Sequence, residues 1–251
     1  MENDTRHLEW IEYDLFEKYP QMVCKTYLRH GGFSTGPLAA LNLSNKVGDH
    51  PDSVKANRAL VLEDLKVKNL VFALQTHSDR LVEVTEENLT NTLEADGLYT
   101  RVKNIALGIT HADCQAAVFF DPVQQVLGVV HAGWKGLVLD LYGKMVKTLQ
   151  EEMGVLPENL LVAISPSLGP DHAEFKDYKQ DFPEEFWPFQ VKDRPKYFNL
   201  WKVAIMQLAR AGVKENQIEV AQSCTFCEEK DFYSYRRQKL SGRHGTLAAL
   251  L

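Results

Sequence analysis

The chain has 251 residues, 45% of them hydrophobic and 25% charged, ordinary globular proportions that exclude a fibrous or disordered polypeptide and suit one domain over residues 1–251. Its formal net charge is -6, from 28 Lys and Arg against 34 Asp and Glu, so no general basic field exists to gather phosphates and no nucleic acid polymer is expected as a partner. Met1 to Glu17 lacks the basic start and apolar block of a secretory leader, and no apolar run reaches the ~18 residues of a membrane span, so a cytoplasmic protein without membrane contact is expected.

In chain order, Val23 to Tyr27 reads as a short strand, and Gly31 to Pro37 after it as a loop rich in backbone N–H groups free to face a ligand. Pro51 to Leu65 has Val54, Leu60, Val61 and Leu65 near helical spacing, with Asp52 as a plausible cap and Arg58 on the helix. Val71 to Leu74 is a short apolar strand delivering Gln75-Thr76-His77, with Leu81 to Val84 as its return partner. Ala95-Asp96-Gly97 is a turn signature. Ile105 to Ile109 forms a strand ending at Thr110-His111-Ala112-Asp113-Cys114, and Ala116 to Phe120 runs onward.

Val126 to Val130 is apolar throughout, as a strand covered on both faces should be, and runs into His131-Ala132-Gly133-Trp134-Lys135-Gly136. Leu137 to Met153 has helical spacing up to Gly154. Leu160 to Ile164 is the next buried strand, and Asn199 caps a helix that runs to Gly212. Ile218 to Ala221 and Phe232 to Tyr235 read as late strands. Strands and helices interleave without a strict βαβ beat, which predicts an α+β class with mixed sheet layers flanked by helices.

His77, Cys114 and His131 each stand at the end of an apolar strand, where a rigid element can hold a ligating atom. One thiolate and two imidazoles suit zinc with an open fourth position, the pattern of a catalytic site. Spacing alone is a weak signal for the metal and favours the other reading, in which the two His are hydrogen-bonded structural residues and Cys114 is a buried filler. Cys224-Thr225-Phe226-Cys227 has no second Cys pair and does not open an early helix, so it reads as two packed thiols. Candidates for an anion are Ser34, Asn45 and Arg58, each near a loop able to offer backbone donors, and the stretch Ser234-Tyr235-Arg236-Arg237 with Gly242-Arg243-His244.

Several strings together carry a resemblance: Ala40-Leu41-Asn42-Leu43-Ser44, Val47-Gly48-Asp49, Asn57-Arg58, Gln75-Thr76-His77, Ala95-Asp96-Gly97, Ala112-Asp113-Cys114, His131-Ala132-Gly133-Trp134-Lys135-Gly136 and Tyr233-Ser234-Tyr235-Arg236-Arg237. In order and spacing they resemble the YfiH family, also called laccase-domain or polyphenol-oxidase-like proteins, over nearly the whole chain. The resemblance implies a zinc-dependent purine nucleoside phosphorylase acting on adenosine, inosine, guanosine and methylthioadenosine, with adenosine deaminase activity in the same site. It implies zinc ligand roles for His77, Cys114 and His131, and a nucleoside and phosphate as the small-molecule partners.

The chain departs from the family pattern at His111, where Thr is frequent, at Lys135, where Arg is frequent, and at Ala173-Glu174-Phe175 in place of Tyr-Glu-Val. Asp113 is read as a hydrogen-bond partner for a ligating imidazole, or with His111 as a proton shuttle. Rival readings are a metal-free Cys-His hydrolase acting on an amide such as a peptidoglycan precursor, and a copper polyphenol oxidase. Copper is disfavoured because the eight His include no His-x-His pair. Monomer and homodimer are both compatible with the sequence.

Overall fold

Alternate residues of the apolar strands fall into separate buried clusters, which is what sheets covered on both faces produce. The computed structural model describes residues 7–251, so the reading of Met1 to Glu17 lies partly outside the described residues. In chain order the strands are β1 (Trp10–Ile11), β2 (Met22–Tyr27), β3 (Asn69–Phe72), β4 (Leu81–Glu83), β5 (Gly97–Thr100), β6 (Ile105–His111), β7 (Gln115–Asp121), β8 (Val126–Ala132), β9 (Leu161–Ile164), β10 (Gln190–Val191), β11 (Arg194–Phe198), β12 (Ile218–Val220) and β13 (His244–Leu250). The helices are α1 (Pro51–Leu65), α2 (Trp134–Val138), α3 (Leu141–Met153), α4 (Tyr178–Asp181) and α5 (Leu200–Arg210).

Two mixed sheets stack. One has the order β1-β2-β13-β6-β3 and the other β12-β9-β7-β8-β5-β4, with β10 and β11 as a separate hairpin. Leu107 and Ile109 of β6 meet Val118 and Phe120 of β7 and Val129 of β8 in the core between the sheets. The outer face of the five-stranded sheet packs Ala106 and Leu247 against Val61 and Leu65 of α1. The outer face of the six-stranded sheet packs Phe119 and Val130 against α3 and α5. Leu141, Met145 and Leu149 of α3 are fully buried there, each contributing about 1.5–3 kcal/mol by area removed from water. The architecture is α+β in four layers, helix, sheet, sheet, helix. Among the described residues no helix is long and apolar enough to cross a membrane.

α1 matches its expected span, but its cap is His50, whose Nδ1 accepts from the Asp52 amide, rather than Asp52 itself. β4 does not return to β3. It pairs parallel with β5 in the second sheet, while β3 pairs parallel with β6, so the chain between them crosses from one sheet to the other. The expected helix from Leu137 to Met153 is broken at Asp140, which sits at φ 53°, a left-handed conformation that Asp tolerates through local hydrogen bonding. Phe232 to Ser234 is irregular chain that enters a turn at Tyr235, not a strand. Its buried rings are anchored singly, as when Tyr233 Oη donates to the Leu38 carbonyl, with no ladder partner. β13, absent from the sequence-based expectation, pairs with both β2 and β6 at the centre of its sheet.

Candidate metal centre and its cleft

His77 and Cys114 both lie on connections that carry the chain from the five-stranded sheet to the six-stranded one, His77 between β3 and β4 and Cys114 between β6 and β7. His131 lies within β8, one residue inside its end, on the same face as Leu127 and Val129 and therefore between the sheets. It pairs across β7 with Ala116, two residues beyond Cys114. The ligating atoms of His77, Cys114 and His131 all lie within 4.8 Å of one another, and the two imidazole rings meet edge-to-face at 4.8 Å between centroids. The structure thus brings together the three residues that the sequence singles out.

The supports of this cluster are specific. His131 Nδ1 donates to Asp96 Oδ1 at 2.8 Å, which leaves Nε2 as the atom free to ligate. The other Asp96 oxygen accepts from the Thr76 and Ser78 amides and the Ser78 hydroxyl, holding the turn that carries His77. Gln75 bonds Thr110 at both ends of its amide and ties that turn to β6. Gly133 packs tightly on the cluster, since a Cβ there would stand 3.0 Å from Cys114 Sγ and 3.4 Å from His77 Cδ2 and would press the ligands aside.

Burial alone would push the Cys114 thiol up, but the charge and hydrogen bonding of His131 and His77 outweigh it and bring it down to about 6. Burial would likewise pull His131 down, yet the Cys114 charge and the Asp96 hydrogen bond raise it to about 9. Burial works against ionisation of Asp96 as well, and hydrogen bonds from His131 and the Ser78 amide hold it well below the usual carboxylate range. A thiolate facing imidazoles, one of them oriented by a carboxylate, is a donor set that fits a zinc-class cation with one open position.

The cluster opens into a cleft of about 810 Å³ lined also by Asn45, Arg58, Phe72, His111, Tyr235 and Arg243. Arg58 spends Nε and Nη2 on the Leu43 carbonyl and lies over the Phe72 ring, and burial lowers it to about 10. Arg243 donates to the Ser241 and Gly242 carbonyls, and burial lowers it too. Among the described residues neither guanidinium has a carboxylate ion-pair partner. Arg243 feels the nearby charges of Cys114 and Asp113 without pairing directly with either, and the two guanidiniums together form a ready site for an anion.

Other sequence candidates stand elsewhere. Ser34 is buried outside this cleft, its hydroxyl donating to Asp49 and accepting from Asn57. Its loop is likewise turned inward, with the Phe33 amide bound to Asn57 and the Ser34 amide to the Ala40 carbonyl. Arg236 and Arg237 are tied to backbone carbonyls of His172, Glu174, Thr225, Phe226 and Phe232.

The Asp113 carboxylate meets no imidazole. It accepts from Thr225 Oγ1 and the Arg236 amide, and the imidazole partner is Asp96, which the sequence shows only as a turn residue. His111 is fully enclosed, its Nε2 2.8 Å from Thr246 Oγ1, and burial with the neighbouring His244 pushes it well below its ordinary value. That keeps it neutral rather than exchanging protons with solvent.

The chain matches the family described as multi-copper polyphenol oxidoreductase laccase over residues 23–251. It is 32% identical to a purine nucleoside phosphorylase of Haemophilus influenzae, over 87% of this chain and 90% of that protein. It is also 32% identical to purine nucleoside phosphorylase YlmD of Geobacillus stearothermophilus, over 89% of this chain and 87% of the relative. Among solved structures, the hypothetical protein YfiH of Bacillus licheniformis superposes with a TM-score of 0.89 at 31% identity, covering 99% of this chain and 98% of the other. YlmD of G. stearothermophilus superposes at 0.88 with 29% identity, covering 98% and 99%.

Proposed function

The chain belongs to the multi-copper polyphenol oxidoreductase laccase family, and from that membership and its cleft we propose that it is a zinc-dependent purine nucleoside phosphorylase. Its substrates in this reading are adenosine, inosine, guanosine and methylthioadenosine, with adenosine deamination in the same site. The observation that carries the proposal is the meeting, in one cleft, of the His77, Cys114 and His131 donors with the guanidiniums of Arg58 and Arg243. A nucleoside and an inorganic phosphate are the pair of reactants such a cleft would hold.

In phosphorolysis a phosphate oxygen bonds to the anomeric carbon as the glycosidic C–N bond breaks, and the purine leaves with the proton that phosphate gives up. Arg58 and Arg243 would hold the phosphate and spread its charge, which lowers the barrier through positioning. Phe72 and Tyr235 line the cleft where the purine would lie, and Asn45 adds a polar edge. His77, Cys114 and His131 would hold the zinc, with Asp96 fixing the His131 ring. When bound, the ion supplies a Lewis acid at the open end of the cluster. Zinc is preferred over clustered copper because the eight His include no His-x-His pair.

The test is hypoxanthine release from inosine by the purified protein, with and without phosphate, alongside metal analysis. Phosphate-dependent release with ribose 1-phosphate as co-product is expected, and equal release without phosphate overturns the phosphorylase.

One observation favours a second reading. Without metal, Cys114, His131 and Asp96 form a thiolate, imidazole and carboxylate array suited to amide cleavage. Amide hydrolysis that survives complete chelation would establish that reading instead.

A further inference from the structure

A second cluster of metal-type donors lies outside the cleft. Cys224 and Cys227, which the sequence presents as thiols without a partner, meet His172 from a distant loop. Cys227 Sγ is 3.5 Å and Cys224 Sγ 3.9 Å from His172 Nδ1, and the three ligating atoms lie within 4.8 Å of one another. A thiolate at about 2.3 Å and an imidazole at about 2.0–2.1 Å from one tetrahedral zinc stand roughly 3.6 Å apart. The observed separations bracket that edge.

The loops that deliver these donors are fixed by the sheet. β9 and β12 are parallel neighbours, so the segments after them leave the same end of the sheet side by side. The pairing continues past the strands, with the Ser167 amide bound to the Ser223 carbonyl and the Thr225 amide to the Ser167 carbonyl. The Cys227 and Glu228 amides both bond the Cys224 carbonyl, which folds Cys224-Thr225-Phe226-Cys227 into a tight turn presenting both sulfurs.

Three details suit a thiolate site. The Gly169 amide donates to Cys224 Sγ at 3.2 Å, and a Cβ on Gly169 would stand only 3.0 Å from that sulfur. Phe226 stacks on the His172 ring at 3.9 Å between centroids and 18° between planes, which fixes the imidazole. The order His172-Ala173-Glu174 then Cys224-Thr225-Phe226-Cys227 also reproduces the His-x-Glu and Cys-x-x-Cys spacing from which zinc deaminases draw their His and two Cys ligands, with Ser223 in place of their Pro.

We propose that His172, Cys224 and Cys227 form a second binding site for a zinc-class divalent cation, with solvent completing the coordination. The proposal is independent of the phosphorylase reading. Its position gives it a structural consequence, because Thr225, inside the Cys224–Cys227 turn, donates to Asp113 next to Cys114, and the Leu168 amide bonds the Asp113 carbonyl. A cation here clamps the two loops that hold Asp113 and through it the backbone at Cys114.

The test uses Co²⁺ as probe on chelated full-length protein, since thiolate-to-cobalt absorption in the near ultraviolet reports sulfur ligation. In a Cys114→Ser background the first site keeps no thiolate, so any such band belongs to the second. Expected are a one-equivalent thiolate band with Cys114→Ser and its loss with Cys114→Ser/Cys227→Ser. Cys227 is exposed, so its substitution leaves the fold intact. A parallel measurement on otherwise unaltered protein reads bound Zn²⁺, which should fall by one equivalent with Cys227→Ser or His172→Gln. A band that persists without Cys227, bound Zn²⁺ equal in all variants, or a Cys224–Cys227 disulfide under reducing conditions in place of metal overturns the proposal.

Discussion

Asp96 Oδ1 lies 2.8 Å from His131 Nδ1, while its second oxygen gathers the amides of Thr76 and Ser78, so one buried carboxylate orients His131 and the turn bearing His77 together. Asp96→Ala would free the His131 ring and leave the two amides unpaired. Loss of such a partner typically costs about 10–100-fold in metal affinity. Competition against a chelator measures it, and Asp96→Asn, which keeps the shape and one acceptor, should lose less. Equal affinity in Asp96→Ala and the unsubstituted protein would remove Asp96 from the site.

Gly133→Ala tests the geometry of the cluster from the other side. Gly133 has φ −74° and ψ 179°, extended backbone open to any residue, so the substitution carries no conformational penalty of its own. Its Cβ would press on Cys114 Sγ at 3.0 Å and force it aside by a few tenths of an ångström. Metal affinity should drop on the order of 10-fold, by analogy with other disturbances of a ligand's setting. The urea midpoint of the metal-free protein should stay unchanged, and a large midpoint shift would mean that Gly133 serves the fold instead.

How much of this was legible in the sequence depended on whether the cause was local. α1 and α5 were readable because apolar residues recur at helical spacing in both and Asn199 caps the second. The apolar runs at β6, β7, β8 and β9 announced themselves by composition. β13 did not, because Gly245, Thr246, Ala248 and Ala249 are small residues that fit a crowded central position without any alternating signal.

The pairing of β4 with β5 rather than β3 depends on which sheet the chain enters, and no residue between them encodes that. The same limit governed the sites. Cys114 and His131 could be suspected from their strand ends, whereas Asp96 as the partner of His131, and His172 as the partner of Cys224 and Cys227, became visible only once strands from distant segments were neighbours.

Arg58 and Arg243 should govern phosphate rather than nucleoside. A hydrogen bond to a charged group is worth about 1.5–3 kcal/mol, so removing either guanidinium should raise the phosphate KM roughly 10–100-fold with little change in the nucleoside KM. Arg58→Lys is the informative variant, since it keeps the charge but loses the fork that grips the Leu43 carbonyl. Arg243→Ala gives the second measurement. Unchanged phosphate KM in both would move the anion site elsewhere.

The His111 and His244 rings meet edge-to-face at 4.2 Å in full burial, and neither His244 nitrogen has a hydrogen-bond partner among the described residues. Burial, followed by the neighbouring charges, lowers both, His244 to about 3. Both are therefore neutral in the folded chain at pH values where the unfolded chain, with its His near 6.5, takes up protons. The unfolded state then binds more protons, so the stability that these rings confer is complete above pH ~6.5 and declines as the pH falls towards the folded values. The slope approaches about 1.4 kcal/mol per pH unit for each ring.

His131 does not counter this, because a group raised to about 9 loses its contribution only as the pH rises towards that value. Urea unfolding of chelated protein at pH 6.0 and 5.0 should show the decline, and His244→Leu, which removes one titrating ring from an apolar setting, should show a shallower one. A slope unchanged by that substitution would mean that His244 is protonated in the folded chain and paired with a group that the buried surroundings do not supply.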